Sequence, residues 1–218
     1  MEKNQFHKYI AIEGPIGVGK SSMVTLLAQR LGIDPIFEKV AENPFLGKFY
    51  QDQETYAFQT QIFFLMSRFK QLSPLSQIDL FNQATLCDYL FERDLVFAGL
   101  NLSESEFSLY LELFTLLTGR LTTPDLTIYL QADTDTLMRR IAKRNRPIEK
   151  GVSEDYIDQV HRAFNHFFFN DYKAGPLLII NTNHIDFVEN GDDFEPLIKK
   201  IGSDIKGVEF FNPERSVF

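Results

Sequence analysis

The stretch GPIGVGKSS, Gly14 to Ser22, follows a β-rich apolar run from His7 to Glu13 and opens a helical pattern from Ser21 to Leu31. It satisfies G-x-x-x-x-G-K-[ST] with Gly14, Gly19, Lys20 and Ser21, and the strand before and helix after are the context a phosphate loop requires. Gly14, Pro15, Ile16, Gly17, Val18, Gly19, Lys20, Ser21 and Ser22 are therefore read as a nucleotide cradle. Glycines let successive backbone N–H groups turn inward around phosphate oxygens, and the following helix presents its positive end. Lys20 is placed to reach the outer phosphates and Ser21 to ligate Mg²⁺. A nucleoside triphosphate is the expected ligand.

Outward from this loop, β-rich runs alternate with longer helical patterns. Pro35 to Val40 precedes a helix from about Glu54 to Leu72; Ala84 to Cys87 precedes helices between Phe91 and Arg120; Leu126 to Gln131 precedes helices reaching Asn170; Leu177 to Ile180 follows. Five strands joined by helical crossovers predict an α/β fold of three layers, the P-loop kinase type, with a five-stranded parallel sheet and helices on both faces. No linker or repeat divides the chain, so residues 1–218 are expected to form a single domain. The tail from about 203 to 218 has little periodicity and is expected over the surface, although the run Val208 to Phe211 could pack on the domain.

The net charge of −8, from 22 Lys and Arg against 30 Asp and Glu, argues against a nucleic-acid polymer as partner. The one cysteine, Cys87, forms no internal disulfide, and no secretory pattern opens the chain, which predicts a reducing, cytoplasmic setting. No apolar run approaches the roughly 18 residues of a membrane span. The histidines lack zinc-ligand spacing.

Against this acidic background, RRIAKRNRPIE concentrates Arg139, Arg140, Lys143, Arg144 and Arg146. On a helix, Arg140 and Arg144 share a face at i, i+4, and Arg146, just before Pro147, can swing toward the same point. Phosphoryl transfer needs negative charge stabilised on the moving group, which guanidinium forks supply. Residues from about 140 to 150 are thus read as an Arg-rich LID over the donor, with Arg140, Arg144 and Arg146 on its phosphates.

On the acceptor side, Glu38 sits near the end of the second expected strand, where ligands of open α/β sheets collect. A hydroxyl acceptor must lose a proton, so a carboxylate there suits a general base, whereas Glu38 and Glu42 would repel an acceptor phosphate. Gln61 and Arg68 lie two turns apart on one helix face. The Gln61 amide, donor and acceptor together, suits the edge of a nucleobase.

Taken together, GPIGVGKSS, Glu38, the Gln61 to Arg68 helix and RIAKRNRPIE resemble the deoxynucleoside kinase family, from about residue 8 to 190. The resemblance implies transfer of the ATP γ-phosphate to the 5′-hydroxyl of a deoxynucleoside, with Mg²⁺, usually by a homodimer. It implies Glu38 as general base, Gln61 at the base edge, Arg68 near the base and 5′ end, Tyr50 and Glu149 on the sugar 3′-hydroxyl, and Phe97 stacked on the base. Asn183 to Phe187 resembles the loop around the donor adenine, and Asp88 the Mg²⁺-associated carboxylate.

One departure stands out. Family members commonly follow that acid with Arg, but Asp88 is followed by Tyr89. Arg93 is the candidate replacement, and Asp94 or Glu92 the candidate base-selecting acid. The ENPFL and FQTQ wording resembles that of bacterial family members that tend toward purine deoxynucleosides, and the resemblance implies deoxyadenosine or deoxyguanosine as substrate. The alternatives are a nucleoside monophosphate kinase resembling thymidylate kinase, and a non-catalytic nucleotide-binding subunit of this fold. Retention of Lys20, Glu38 and the arginines speaks against the latter.

Overall fold

Strand β1, Tyr9–Glu13, is buried along its whole length, because alternate residues feed cores on opposite faces of a sheet. The computed structural model describes residues 7–76, 84–149, 151–185, 187 and 194–212. After β1 come α1 (Lys20–Leu31), α2 (Leu46–Phe49), α3 (Gln53–Leu72), β2 (Thr85–Cys87), α4 (Arg93–Asn101) and α5 (Glu104–Thr118). Then follow β3 (Leu126–Gln131), α6 (Thr134–Arg144), α7 (Glu154–His166), β4 (Leu177–Asn181), α8 (Phe194–Ile201) and β5 (Val208–Phe211). The five strands are parallel in the order β2-β1-β3-β4-β5.

Ile10 and Ile12 of β1, Ile128 and Leu130 of β3, and Leu178 and Ile180 of β4 share a core with α1, α6 and α8. Ala11, Tyr129, Leu177 and Ile179 point the other way, onto residues of α2, α3, α4 and α7. This is the expected three-layer α/β arrangement. Its chain reversal lies between β1 and β3, so the carboxyl ends of the strands open into a crevice on the side where the phosphate loop follows β1.

The fifth strand is not the expected one. Pro35 to Val40 contributes only a bridge between Ile36 and Cys87, with Ile36 N donating to Leu86 O at 2.8 Å and Asp88 N to Ile36 O at 3.1 Å. Pro35 has no N–H to offer a ladder, and Glu38 N donates to the Asp88 side chain at 2.7 Å instead of to a neighbouring carbonyl. The segment then turns through Val40–Glu42. Val208–Phe211, expected in a surface tail, supplies the missing strand by pairing with Leu177 to Ile180. Residues 213–218 of that tail, and Lys150 of the LID, lie outside the described residues.

Core and edge differ in what they contribute. Ile128→Ala, in a fully buried position, should lower the unfolding free energy by about 2–5 kcal/mol. Val208→Ala, on the half-exposed edge strand, should stay within about 0.5 kcal/mol. Urea titration of both variants measures the contrast.

Candidate active site

The phosphate loop is shaped by close approaches that only glycine permits. At Gly14 a Cβ would lie 2.5 Å from Leu130 O, and at Gly17, with φ at +88°, it would meet Ile141 Cγ1 at 2.8 Å and Leu137 O at 2.9 Å. The loop is thus wedged between β3 and α6. Lys20 folds over it, donating from Nζ to Gly14 O at 2.6 Å and Pro15 O at 3.1 Å. Burial lowers its ammonium pKa and nearby Arg93 lowers it further, while Glu13, Glu38 and Asp88 oppose them, leaving it at about 8. Ser21 Oγ donates to Asp88 Oδ2 at 3.0 Å. Burial raises the Asp88 carboxyl above the usual range, with the Glu38 N–H opposing.

Glu38 lines a cavity of about 840 Å³ together with Gly17, Gly19, Lys20 and Ser21 of the phosphate loop. Arg68 of α3 donates to its Oε1 from Nε at 2.9 Å and also from Nη2; Arg93 of α4 donates to Oε2 from Nη1 at 3.1 Å. Burial favours the neutral acid, but Arg68, Arg93 and Lys20 together outweigh it and hold the carboxyl at about 2. Arg68 also pairs with Asp94. Arg93 therefore stands on Glu38 despite the missing arginine after Asp88, while Tyr89 is buried in a core with Leu65, Leu72 and Phe114.

Gln61 is buried and faces the cavity, whereas Gln59 is exposed, as the two-turn spacing to Arg68 predicts. Tyr50 and Phe97 are also on the cavity wall. Burial pushes the Tyr50 phenol well above its ordinary range, and Tyr156 and Glu149 add to that. Of the two acids weighed for base selection, Asp94 is in the Arg68 cluster, whereas Glu92 borders a separate small pocket with Tyr9 and Leu72.

The LID arginines divide. Arg144 and Arg146 are on the cavity wall, and Arg144 grips Glu149, with Nε donating to Oε2 at 3.2 Å. Arg140 instead turns behind the phosphate loop. Its Nη1 donates to Val18 O at 3.0 Å and Thr182 Oγ1 at 2.9 Å, and its Nη2 to Thr182 O at 2.7 Å. One turn earlier than Arg144, it lies over the carboxyl end of β4, where those oxygens are within reach. Likewise Asn183 Oδ1 accepts from Asp133 N at 2.8 Å, and Phe187 is buried, its Cζ 3.2 Å from where a Gly19 Cβ would be. The structure brings neither Asn183 nor Phe187 to the cavity wall.

One site residue had no signal in the motif reading. Glu13 reads as the last residue of a strand, yet it is fully buried and lies between Gly14, Leu90, Lys20 and Arg93. A carboxylate ending an otherwise apolar strand just before the loop was the available clue.

A phosphate loop and the carboxylate of Glu38 on the wall of one cavity, with Arg144 and Arg146 on the same wall, mark a P-loop phosphotransferase. The deoxynucleoside kinase family model matches residues 10–206, and the chain belongs to that family. Membership makes it an ATP-dependent enzyme that phosphorylates a deoxynucleoside. The chain is 38% identical over 191 residues to a deoxyguanosine kinase of Bacillus subtilis, covering 86% of this chain and 92% of that one. It is 32% identical to a deoxyadenosine kinase of Dictyostelium discoideum, covering 94% and 82%. Among solved structures it resembles a deoxyadenosine kinase from M. mycoides with bound dCTP, at TM-score 0.77 and 26% identity, covering 90% of this chain and all of that one.

The Lys20 environment gives a pH test. Its pKa is lowered to about 8 in the free protein, and an arriving MgATP, whose metal-bound terminal phosphate is already ionised near neutrality, raises it, so binding takes up about half a proton at pH 8 and progressively less as pH falls. Affinity for ATP accordingly falls as pH rises through 8. Calorimetry in buffers of different ionisation enthalpy measures the uptake, and Lys20→Ala should abolish it.

Proposed function

We propose that the enzyme acts as a single kinase domain that transfers the γ-phosphate of ATP to the 5′-hydroxyl of a purine deoxynucleoside, for nucleotide salvage. The observation that carries this reading is Glu38, an ionised carboxylate on the cavity wall it shares with Lys20, flanked by two guanidiniums. Glu38 is the general base. At about 2, its carboxyl is a weak base but a permanently ionised one, and a hydroxyl attacking through a loose transition state gives up its proton late. Arg68 and Arg93 keep that carboxylate charged and oriented.

Gln61 reads the base edge and Phe97 stacks on the base, while Tyr50 and Glu149 hold the sugar. Relatives named for deoxyguanosine and deoxyadenosine support a purine. Lys20, Arg144 and Arg146 neutralise the donor phosphates. Arg140 braces the phosphate loop against Thr182, which leads into the segment Asn183 to Phe187 that we assign to the donor adenine. The hard oxygen donors Ser21 and Asp88 fit Mg²⁺. Bound there, the ion would neutralise charge between the outer phosphates. No cluster of three His, Cys, Asp or Glu able to hold a metal occurs among the described residues, so phosphates and water would complete its shell.

The working form in this reading is a homodimer. Leu109, Leu113 and Leu116 form an exposed stripe along α5, at the i, i+4, i+7 spacing of one helix face, and a self-complementary apolar stripe suits a two-fold interface. A cytoplasmic setting accords with the single buried thiol of Cys87.

Two measurements test the reading. With MgATP, purine deoxynucleosides should be turned over at least about tenfold faster than the matching ribonucleosides, as differential recognition of one hydroxyl permits, and faster than dTMP, whose 5′-oxygen already carries a phosphate. The absence of turnover with every deoxynucleoside would sink it. Glu38→Gln should lower kcat by about 100-fold or more while leaving ATP affinity nearly unchanged; an unchanged kcat would move the base elsewhere.

A further inference from the structure

Glu13 touches both halves of the site through one carboxylate. Its Oε1 accepts from Gly14 N at 2.8 Å and lies 3.9 Å from Lys20 Nζ. Its Oε2 accepts from Leu90 N at 2.9 Å, in the turn that starts α4, and lies 3.5 Å from Arg93 Nε. The other end of the same guanidinium reaches Glu38 at 3.1 Å. Satisfying two backbone N–H groups would require one acceptor on each oxygen and no particular neighbour. The ion pair to Arg93 is what extends the contact from the phosphate loop to the acceptor carboxylate.

We propose that Glu13 is a positioning residue for phosphoryl transfer, fixing Arg93 so that Glu38 is aimed at the acceptor hydroxyl while the same carboxylate anchors the entry of the phosphate loop. The proposal rests on the kinase reading above. Its physical basis is that Arg93 is buried and carries a long side chain whose rotamers must be restricted for Glu38 to keep one orientation. Gln at position 13 keeps the volume, but it offers only one acceptor oxygen and no charge to Arg93.

The test is a double-mutant cycle on the full chain. Glu13→Gln should lower kcat per folded molecule by about ten- to hundredfold, and most of that loss should vanish when the change is made in a Glu38→Gln background. Glu13→Asp, which keeps the charge, should recover part of the rate and serves in the same cycle if Glu13→Gln folds poorly. A separate readout needs no turnover. The buried Arg93 Nε–H should give a protected resonance in ¹⁵N spectra, assigned by its loss in Arg93→Lys and broadened or shifted in Glu13→Gln. An effect on kcat undiminished in the Glu38→Gln background, or an Arg93 resonance unmoved by Glu13→Gln, overturns the proposal. Failure of the wild type to phosphorylate any deoxynucleoside would refute the kinase reading instead, and the Arg93 resonance would still decide the role of Glu13.

Discussion

Charges of opposite sign must be withdrawn from water together, and that constraint organises the carboxyl end of this sheet. Glu13, Arg93, Glu38, Arg68 and Asp94 form an alternating chain of ion pairs, each side chain nearly or fully buried. Leaving one buried charge without its partner costs several kcal/mol, so β1, α3, α4 and the segment after Ile36 are tied to one relative placement. Such a chain adds little net stability over an apolar equivalent, because desolvation offsets most of the Coulombic gain. What it contributes is geometry. It holds a carboxylate ionised on a cavity wall, next to a phosphate loop whose own position is set by β3 and α6 packing against Gly14 and Gly17.

The LID adds a second ion pair with a different character. Arg144 and Glu149 pair on the cavity wall, with the Arg144 side chain about one-third exposed and that of Glu149 buried, so solvent screens the pair from one side only. The proposed function gives each another partner, Arg144 on the donor and Glu149 on the sugar. Under that assignment, a pair whose members serve different substrates would link occupancy of the two halves without any movement of the sheet. Arg140 is outside this exchange because its guanidinium is committed to Val18 and Thr182 oxygens.

What was legible in the sequence follows from how local each requirement is. The phosphate loop could be read because its backbone path admits only glycine at fixed positions, and Gln61 could be chosen over Gln59 because helix periodicity alone separates a buried from an exposed face. The missing strand could not be read. Pro35 to Val40 has a strand's composition, and only the distant Asp88 side chain, by taking the Glu38 N–H, shows that the ladder ends there. Val208–Phe211 is too short to declare itself, and gains its identity from β4. Arg140 and Arg144 share a helix face as periodicity requires, yet one turn of rise carries them to different oxygen acceptors. The role of Glu13 goes beyond what its position hints at for a related reason: strand alternation describes which face a side chain leaves from, and says nothing of the four partners that converge on it.

The low pKa of Glu38 bears on why two arginines flank it. A stronger base, nearer neutrality, would spend part of its time protonated and would then donate to the acceptor hydroxyl rather than receive from it. Arg68 and Arg93 hold the carboxyl well below the usual carboxylate range and constrain its lone pairs in direction. In a loose transition state the hydroxyl oxygen bonds late to the phosphoryl group, so alignment contributes more to the rate than proton affinity does. With Glu38 as the proposed base, the arginines that lower its basicity would also set its orientation, and their own anchorage, to Asp94 on one side and Glu13 on the other, would bear on the transfer.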